Sequence, residues 1–307
     1  MRFGIDLGGT KIEIIALEKE AVIYKKRIAT PQGDYRATLS AICGLIHNAE
    51  VQLGMPPEQF PEVRPSIGIG IPGTLSADTH LVKNANSTCL IGKPLQQDLE
   101  ILLGRPVRIA NDANCFTLSE ATDGAGKSAN VVFGVILGTG VGGGIVVNQQ
   151  VLCGPNDITG EWGHNPLPWP SKAEYPGPSC YCGKRGCIET FLSGPGALQL
   201  YLSGATDPHV STFLQVWEKA AAGCKASDTF CRTYIDCLAK SLASVINILD
   251  PDIIVLGGGI SNIERLYRDV PQQWGRYVFS DSVRTVLRKA QHGDSSGVRG
   301  AAWLWPD

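Results

Sequence analysis

The sequence predicts an α/β protein of two lobes, each opening on a β-hairpin whose tip is a glycine turn. Two observations carry that prediction. Near the N-terminus, apolar residues alternate through 2–7 and 12–17 on either side of Gly8 and Gly9. Beyond position 130 the unit recurs, as VVFGVIL runs into GTGVGGG and then into the β-branched stretch at 145–147. Strand, glycine turn and strand, twice in 307 residues, favour a duplicated architecture over one continuous doubly wound sheet. Two lobes leave a cleft for a ligand.

The elements follow in order. Residues 2–7, 12–17 and 21–28 read as antiparallel strands, and 34–53 as a helix. A strand at 66–71 is stopped by Pro72 and Gly73, and another at 106–110 leads into Asn111, Asp112 and a helix over 113–122. After the second hairpin, Ile235, Leu238, Leu242, Val245, Ile246 and Leu249 fall at helical spacing until Asp250 and Pro251. A strand at 252–256 then ends in Gly257, Gly258 and Gly259, with a helix resuming from Asn262. This places one lobe at 1–110 and the other at 111–292, with a terminal helix at 293–307 packing back on the first. Residues 165–179, with five prolines, form an irregular stretch longer than ordinary loops, which marks it as functional.

Composition narrows the function. Lys and Arg number 27 against 29 Asp and Glu, a formal charge of −2 without runs of like charge, so neither a nucleic-acid nor a membrane surface is indicated. No stretch approaches the roughly 18–20 uncharged residues of a membrane span. The first residues enter a strand directly, without the pattern of a secretory leader, so a cytoplasmic protein is expected. Of ten cysteines, seven are scattered in apolar or helical contexts that suit small buried hydrophobes; only Cys180, Cys182 and Cys187 cluster.

In Asp6-Leu7-Gly8-Gly9-Thr10-Lys11, paired glycines let the backbone approach a ligand, and Thr10 and Lys11 offer a hydroxyl and an ammonium suited to phosphates. Asp6 suits a hydrated Mg²⁺ better than phosphate itself. An ordinary hairpin turn is the plainer alternative. Residues 138–143 fit GxGxxG, yet a strand follows where the dinucleotide fingerprint requires a helix, and neither turn is a P-loop. Two glycine turns plus a GGG corner able to accept adenosine point to ATP. Asp112, where a strand meets a helix, is either an N-cap or the carboxylate that takes a proton from an attacking hydroxyl during phosphoryl transfer. Asn111 beside it can donate to and accept from sugar hydroxyls.

The three clustered cysteines supply thiolates for a tetrahedral zinc that needs a fourth ligand. His164 is the nearest histidine and His292 the remaining competitor, while a Cys180–Cys182 disulfide would close a very tight ring. Zinc held by His164, Cys180, Cys182 and Cys187 would tie both ends of the proline-rich loop and position Glu161 and Glu189, which are otherwise solvated charges.

DLGGTK, NDANC with SEA, LGTGVGGG, EWGHNPLPW, CYCGKRGCIE and LDPDIIVLGGG, in this order over nearly the whole chain, resemble the sugar kinases of the ROK family. The resemblance implies two actin-like, ribonuclease-H-like lobes around an ATP and sugar cleft, and a homodimer. It implies that Gly8, Gly9, Thr10, Lys11, Gly138, Thr139 and Gly140 hold the ATP phosphates, with Gly4, Gly257 and Gly258 also on the nucleotide and Asp6 near Mg²⁺. It makes Asp112 the base and gives the sugar Gly73, Asn111, Glu161, His164 and Glu189, His164 using one ring nitrogen for zinc and the other for a hydroxyl. KNANST at 83–88, EWGHNPLPW and HGDSSGVRGAAWLW look most like fructokinases that also accept mannose, so fructose 6-phosphate is the expected product. N-acetylglucosamine kinases of the same family share NDANCF and LGTGVGGG and are the alternative. The family's repressors carry a helix-turn-helix ahead of the first turn, whereas DLGGTK here begins at Asp6. A non-catalytic sugar sensor would be expected to lose Asp112 or the GTG turn, and both are present.

Overall fold

The computed structural model describes residues 1–55, 64–85, 87–204 and 209–305. It forms two compact units: Met1–Lys127 with Gly144–Thr159 and Gln291–Asp307, and Ser128–Gly143 with Gly160–Ala290.

In the first unit β1 (Arg2–Leu7), β2 (Lys11–Glu18) and β3 (Ala21–Ala29) form the expected antiparallel meander, with Asp6 opposite Glu13 and Leu7 opposite Ile12. The pleat sends Phe3, Ile5 and Leu7 into the core and Gly4 and Asp6 to the other face. α1 (Tyr35–Gln52) starts at Asp34, whose side chain accepts the Ala37 N–H at 2.9 Å. β4 (Ser66–Ile71) joins β1 in parallel, and β5 (Thr74–Leu75) pairs with β6 (Val82–Lys83). α2 (Leu95–Leu103) ends at Gly104, left-handed at φ 64°, before β7 (Val107–Asn111) and α3 (Asp112–Thr122). The sheet order is β3-β2-β1-β4-β7, and Ile42, Leu45, Ile46 and Leu99 of α1 and α2 fill the core on the Phe3 face.

The second sheet is built from β8 (Val131–Leu137), β9 (Val141–Val147), β10 (Gln150–Val151), β11 (Ile253–Gly257) and β12 (Val286–Lys289) in the order β10-β9-β8-β11-β12. Between them lie α4 (Ile188–Leu192), α5 (Gly194–Gly204), α6 (Phe213–Ala221) and the 25-residue α7 (Lys225–Leu249). β11 (Ile253–Gly257), α8 (Arg265–Asp269), α9 (Pro271–Trp274) and β12 (Val286–Lys289) follow. β8 and β12 each run parallel to β11, and Phe213 and Trp217 of α6 pack their rings against Tyr234 of α7.

The chain ends in α10 (Ser296–Ala302), which returns to the first unit. Its close seat is made by glycines: a Cβ on Gly68 would lie 1.8 Å from Ala301 O, and one on Gly300 only 1.6 Å from Cys115 O in α3. This packing corrects the border expected at Ala110, because α3 belongs with α10 and the first unit continues to Lys127. Two further expectations change. The helix expected from Asn262 is a 3₁₀ turn at Gly259–Asn262, with α8 starting at Arg265. The terminal helix expected at 293–307 is a 3₁₀ turn plus the seven residues of α10, and positions 306 and 307 lie outside the described residues. Among the described residues no helix is long and apolar enough to cross a membrane.

Candidate active site

The first glycine turn is closed by the Gly8 N–H donating to Lys11 O at 2.9 Å, and the Thr30 hydroxyl donates to Gly8 O at 2.7 Å. This leaves Gly9 and Thr10 exposed at the tip, with Gly8 and Lys11 half-buried. Asp6, two residues before the tip, is half-buried beside Gly297. Burial, and then the Glu13 carboxylate across the hairpin, push its carboxyl from 3.8 up to about 6, against the pull of Lys11 and Arg27. A carboxylate held at such a cost suits a cation. Gly4 does not reach this surface, which corrects its expected nucleotide role. A Cβ there would lie 2.0 Å from Val298 O and 2.7 Å from Ala302 N, so the glycine serves the seat of α10.

At the start of α3 the alternatives left open by the sequence separate. Asn111 is the N-cap: its Oδ1 accepts the Ala113 N–H at 2.8 Å, while its Nδ2 donates to Gly73 O at 3.1 Å. One amide hydrogen and one lone pair of Asn111 are left over from those two bonds. Asp112 is the first helical residue, with Oδ1 also accepting the Ala113 N–H at 2.8 Å. Gly73 sits at φ 142° with space for no Cβ, 2.8 Å from Lys83 O. Asn86, within the KNANST segment, lies outside the described residues.

In the second unit, the turn at 138–140 closes through the Gly138 N–H to Gly140 O at 3.0 Å and exposes Thr139. Glu189, expected on the sugar, supports this turn as well. Its Oε2 accepts the Val141 N–H at 2.9 Å and would lie 2.8 Å from a Gly140 Cβ, so a side chain at 140 would displace it. The Gly194 N–H donates to Gly138 O at 2.8 Å, a contact the sequence did not reveal. Gly257 is buried at the end of β11, and Gly258, exposed at φ 81°, would place a Cβ 2.4 Å from Leu137 O. The carboxylate of Glu161 belongs to an exposed residue at the head of the 3₁₀ turn Trp162–His164.

His164, Cys180, Cys182 and Cys187 do converge, with one ligand atom from each lying within 4.8 Å of all the others. His164 Nδ1 is 3.6 Å from Cys180 Sγ, and Cys182 Sγ is 3.6 Å from Cys187 Sγ. Tetrahedral zinc with bonds near 2.3 Å to sulfur sets its sulfurs about 3.8 Å apart, so the donor set and spacing fit zinc. Burial, with the neighbouring thiols, pushes the Cys187 thiol up to about 12, whereas the backbone N–H of Lys184 holds that of Cys182 below its usual value. His292, the competitor, is elsewhere, 3.0 Å from Asp123 in the first unit. The second nitrogen of His164 meets not open space but the Tyr181 hydroxyl at 2.9 Å, another contact that was illegible in the sequence.

A model of the ROK family matches residues 2–307. The chain belongs to the ROK family. Among curated ROK relatives, an N-acetyl-D-glucosamine kinase of Yersinia pseudotuberculosis is 40% identical, across 99% of this chain and 98% of its own. Among solved structures, a ROK hexokinase from Thermus thermophilus is 28% identical with a TM-score of 0.85, over 99% of this chain and 97% of that one. A ROK glucokinase from Streptomyces griseus, in complex with glucose and AMPPNP, is 25% identical with a TM-score of 0.73, over 99% and 98%. The expected actin-like α/β fold is thus the fold of this ROK chain. The expected fructokinase is corrected: full-length curated relatives at 38–40% identity are named N-acetyl-D-glucosamine kinase. Motifs around the Cys/His cluster and the glycine turns identify the family, whereas hexoses differ by single groups read by a few hydrogen bonds.

Proposed function

We propose that this chain is an ATP-dependent sugar kinase that transfers the γ-phosphoryl group of ATP to the 6-hydroxyl of N-acetyl-D-glucosamine. The observation that carries the reading is full-length likeness to N-acetyl-D-glucosamine kinases in a chain that keeps Asp112 as the first residue of α3. The Asp112 carboxylate takes the proton of the 6-hydroxyl as that oxygen bonds to the γ-phosphorus and the bond to the β-phosphate oxygen breaks, releasing ADP. Asn111 and Gly73 line the sugar beside it, with Glu161 and Glu189 as further polyol ligands, while His164, expected on a sugar hydroxyl, has its second ring nitrogen engaged by Tyr181 and stays with the cysteine cluster.

Gly8, Gly9, Thr10 and Lys11 receive the phosphates, as do Gly138, Thr139 and Gly140, and Gly257 and Gly258 border the adenosine. Mg²⁺ bound with the nucleotide supplies neutralisation of charge on the β- and γ-phosphates, and Asp6 is the carboxylate placed for it. Zinc on His164, Cys180, Cys182 and Cys187 has a structural role, fixing the segments that carry Glu161 and Glu189. Following the family resemblance, the working form is a homodimer, and ATP as co-substrate suits the cytoplasm.

The test is the Asp112→Asn variant. Loss of the base should lower kcat by about 10²-fold or more while calorimetric binding of N-acetyl-D-glucosamine stays close to wild type. Near-normal turnover by the variant would remove Asp112 from the mechanism.

A further inference from the structure

A lysine of the second unit is almost wholly removed from solvent. Lys240, halfway along α7, is 2% exposed in its side chain, yet its Nζ is 2.9 and 2.8 Å from the two carboxylate oxygens of Glu174. Glu174 is the apex of the proline-rich loop, ten residues after His164 and six before Cys180. Its carboxylate is saturated: besides Lys240 it accepts the Ser171 N–H at 2.6 Å and the Cys237 thiol at 3.2 Å. A second contact adjoins the first. Trp169 of the loop stacks on Tyr277 with ring centres 5.3 Å apart, and the Tyr277 hydroxyl donates to Asp236, which lies 3.5 Å from Lys240.

The loop's ends are held otherwise. The Leu167 N–H donates to Gly186 O and the Ile188 N–H to Asn165 O, both at 2.8 Å, next to the metal ligands. Between those ends, Lys240 is the charged group that fixes the apex to α7. A buried ion pair contributes little stability compared with well-packed apolar residues, so its retention here calls for a directional role. The apolar alternative would stabilise α7 equally well without specifying where Glu174 sits.

We propose that Lys240 and Glu174 form a buried latch, a pair of positioning residues that holds the proline-rich loop in the geometry its metal ligands need. The latch sets how long zinc stays bound and how firmly the polyol ligands beside it are placed, and takes no part in phosphoryl transfer. This inference rests on the zinc reading above.

The test compares zinc-loaded wild type with Glu174→Gln, Lys240→Met and the double variant E174Q/K240M. The readouts are zinc transfer to a chromophoric chelator, thermal unfolding, and KM for sugar and for ATP. Each single variant leaves a buried group without its partner and is expected to unfold earlier. It should also release zinc about 10-fold faster or more, as seen when groups supporting metal ligands are removed, with KM for the sugar raised and kcat and KM for ATP unchanged. The double variant separates the latch from plain stability. It should recover thermal stability, since no buried charge is left over, but not zinc retention. If a single variant does not accumulate as folded protein, the double variant carries the test by itself. Wild-type zinc retention in the double variant would overturn the latch. A wild type that purifies without zinc and takes none up would overturn the zinc reading together with it.

Discussion

Replacing Gly300 by alanine is expected to loosen the helix pair that positions the start of α3. The added Cβ would lie 1.6 Å from Cys115 O and 2.3 Å from Cys115 C. Carbon and carbonyl oxygen approach no closer than about 3.3 Å in ordinary contacts, so α10 and α3 must part by roughly 1.5–2 Å. Neither contact atom can rotate away, because both belong to backbone. Overpacking of this kind costs about 1–3 kcal/mol, and the rigid obstacle puts this site at the upper end. In a protein of this size about 3 kcal/mol lowers Tm by roughly 5 °C. Cys115 lies one helical turn from Asp112, so a shift of α3 carries the carboxylate with it, and a misplacement of about 1 Å can lower kcat on the order of 10²-fold. Scanning calorimetry and initial-rate kinetics on the same preparation would measure both effects. A Gly300→Ala protein with wild-type Tm and kcat would refute the claim that this contact fixes Asp112.

Two further outcomes follow from the site. Asp6 has its carboxyl raised in the fold, so it favours folding below its ordinary value of 3.8 and opposes it progressively as pH rises through about 6. Asp6→Asn should therefore raise metal-free stability at pH 7.5, by up to about 3 kcal/mol for a shift of about two pH units. That gain should vanish below pH 4 in thermal melts, while Mg²⁺-dependent turnover is lost; an unchanged melting profile across this range would count against a strained Asp6. Cys182→Ser should lower bound zinc measured by elemental analysis and raise KM for the sugar more than KM for ATP, and full loss of zinc with an unchanged sugar KM would contradict the positioning role of the cluster.

Much of the fold was legible because it is written locally. Gly8 and Gly9 between alternating strands, and the apolar spacing of 235–249, specify their elements from neighbouring residues. The convergence of His164 with Cys180, Cys182 and Cys187 was legible for the same reason, since three cysteines fall within eight positions near a histidine. What was hidden depends on residues far apart in sequence. Gly4 reads as part of a nucleotide motif until α10, nearly 300 positions later, is seen lying across it. The border at Ala110 moved for the same reason, because α3 packs against the distant α10, as at Gly300 on Cys115, within the first unit. Lys240 and Glu174 are 66 residues apart, and a lysine on an amphipathic helix ordinarily faces solvent. At the start of α3, the sequence offered Asp112 as a cap, whereas the extended backbone and side chain of Asn111 make that residue the cap and Asp112 the first helical residue. Sugar identity was misread for a different reason, as it depends on side-chain placement that no short motif encodes.

The most direct measurement is ADP release by the purified protein with MgATP and, in parallel, N-acetyl-D-glucosamine, fructose, mannose and glucose over a range of concentrations, with the phosphorylated position assigned by NMR. The highest kcat/KM is expected for N-acetyl-D-glucosamine, with phosphate on its 6-oxygen. A higher kcat/KM for any of the other three sugars would contradict the proposed substrate, and no turnover with any of them would contradict the assignment of the chain as a kinase.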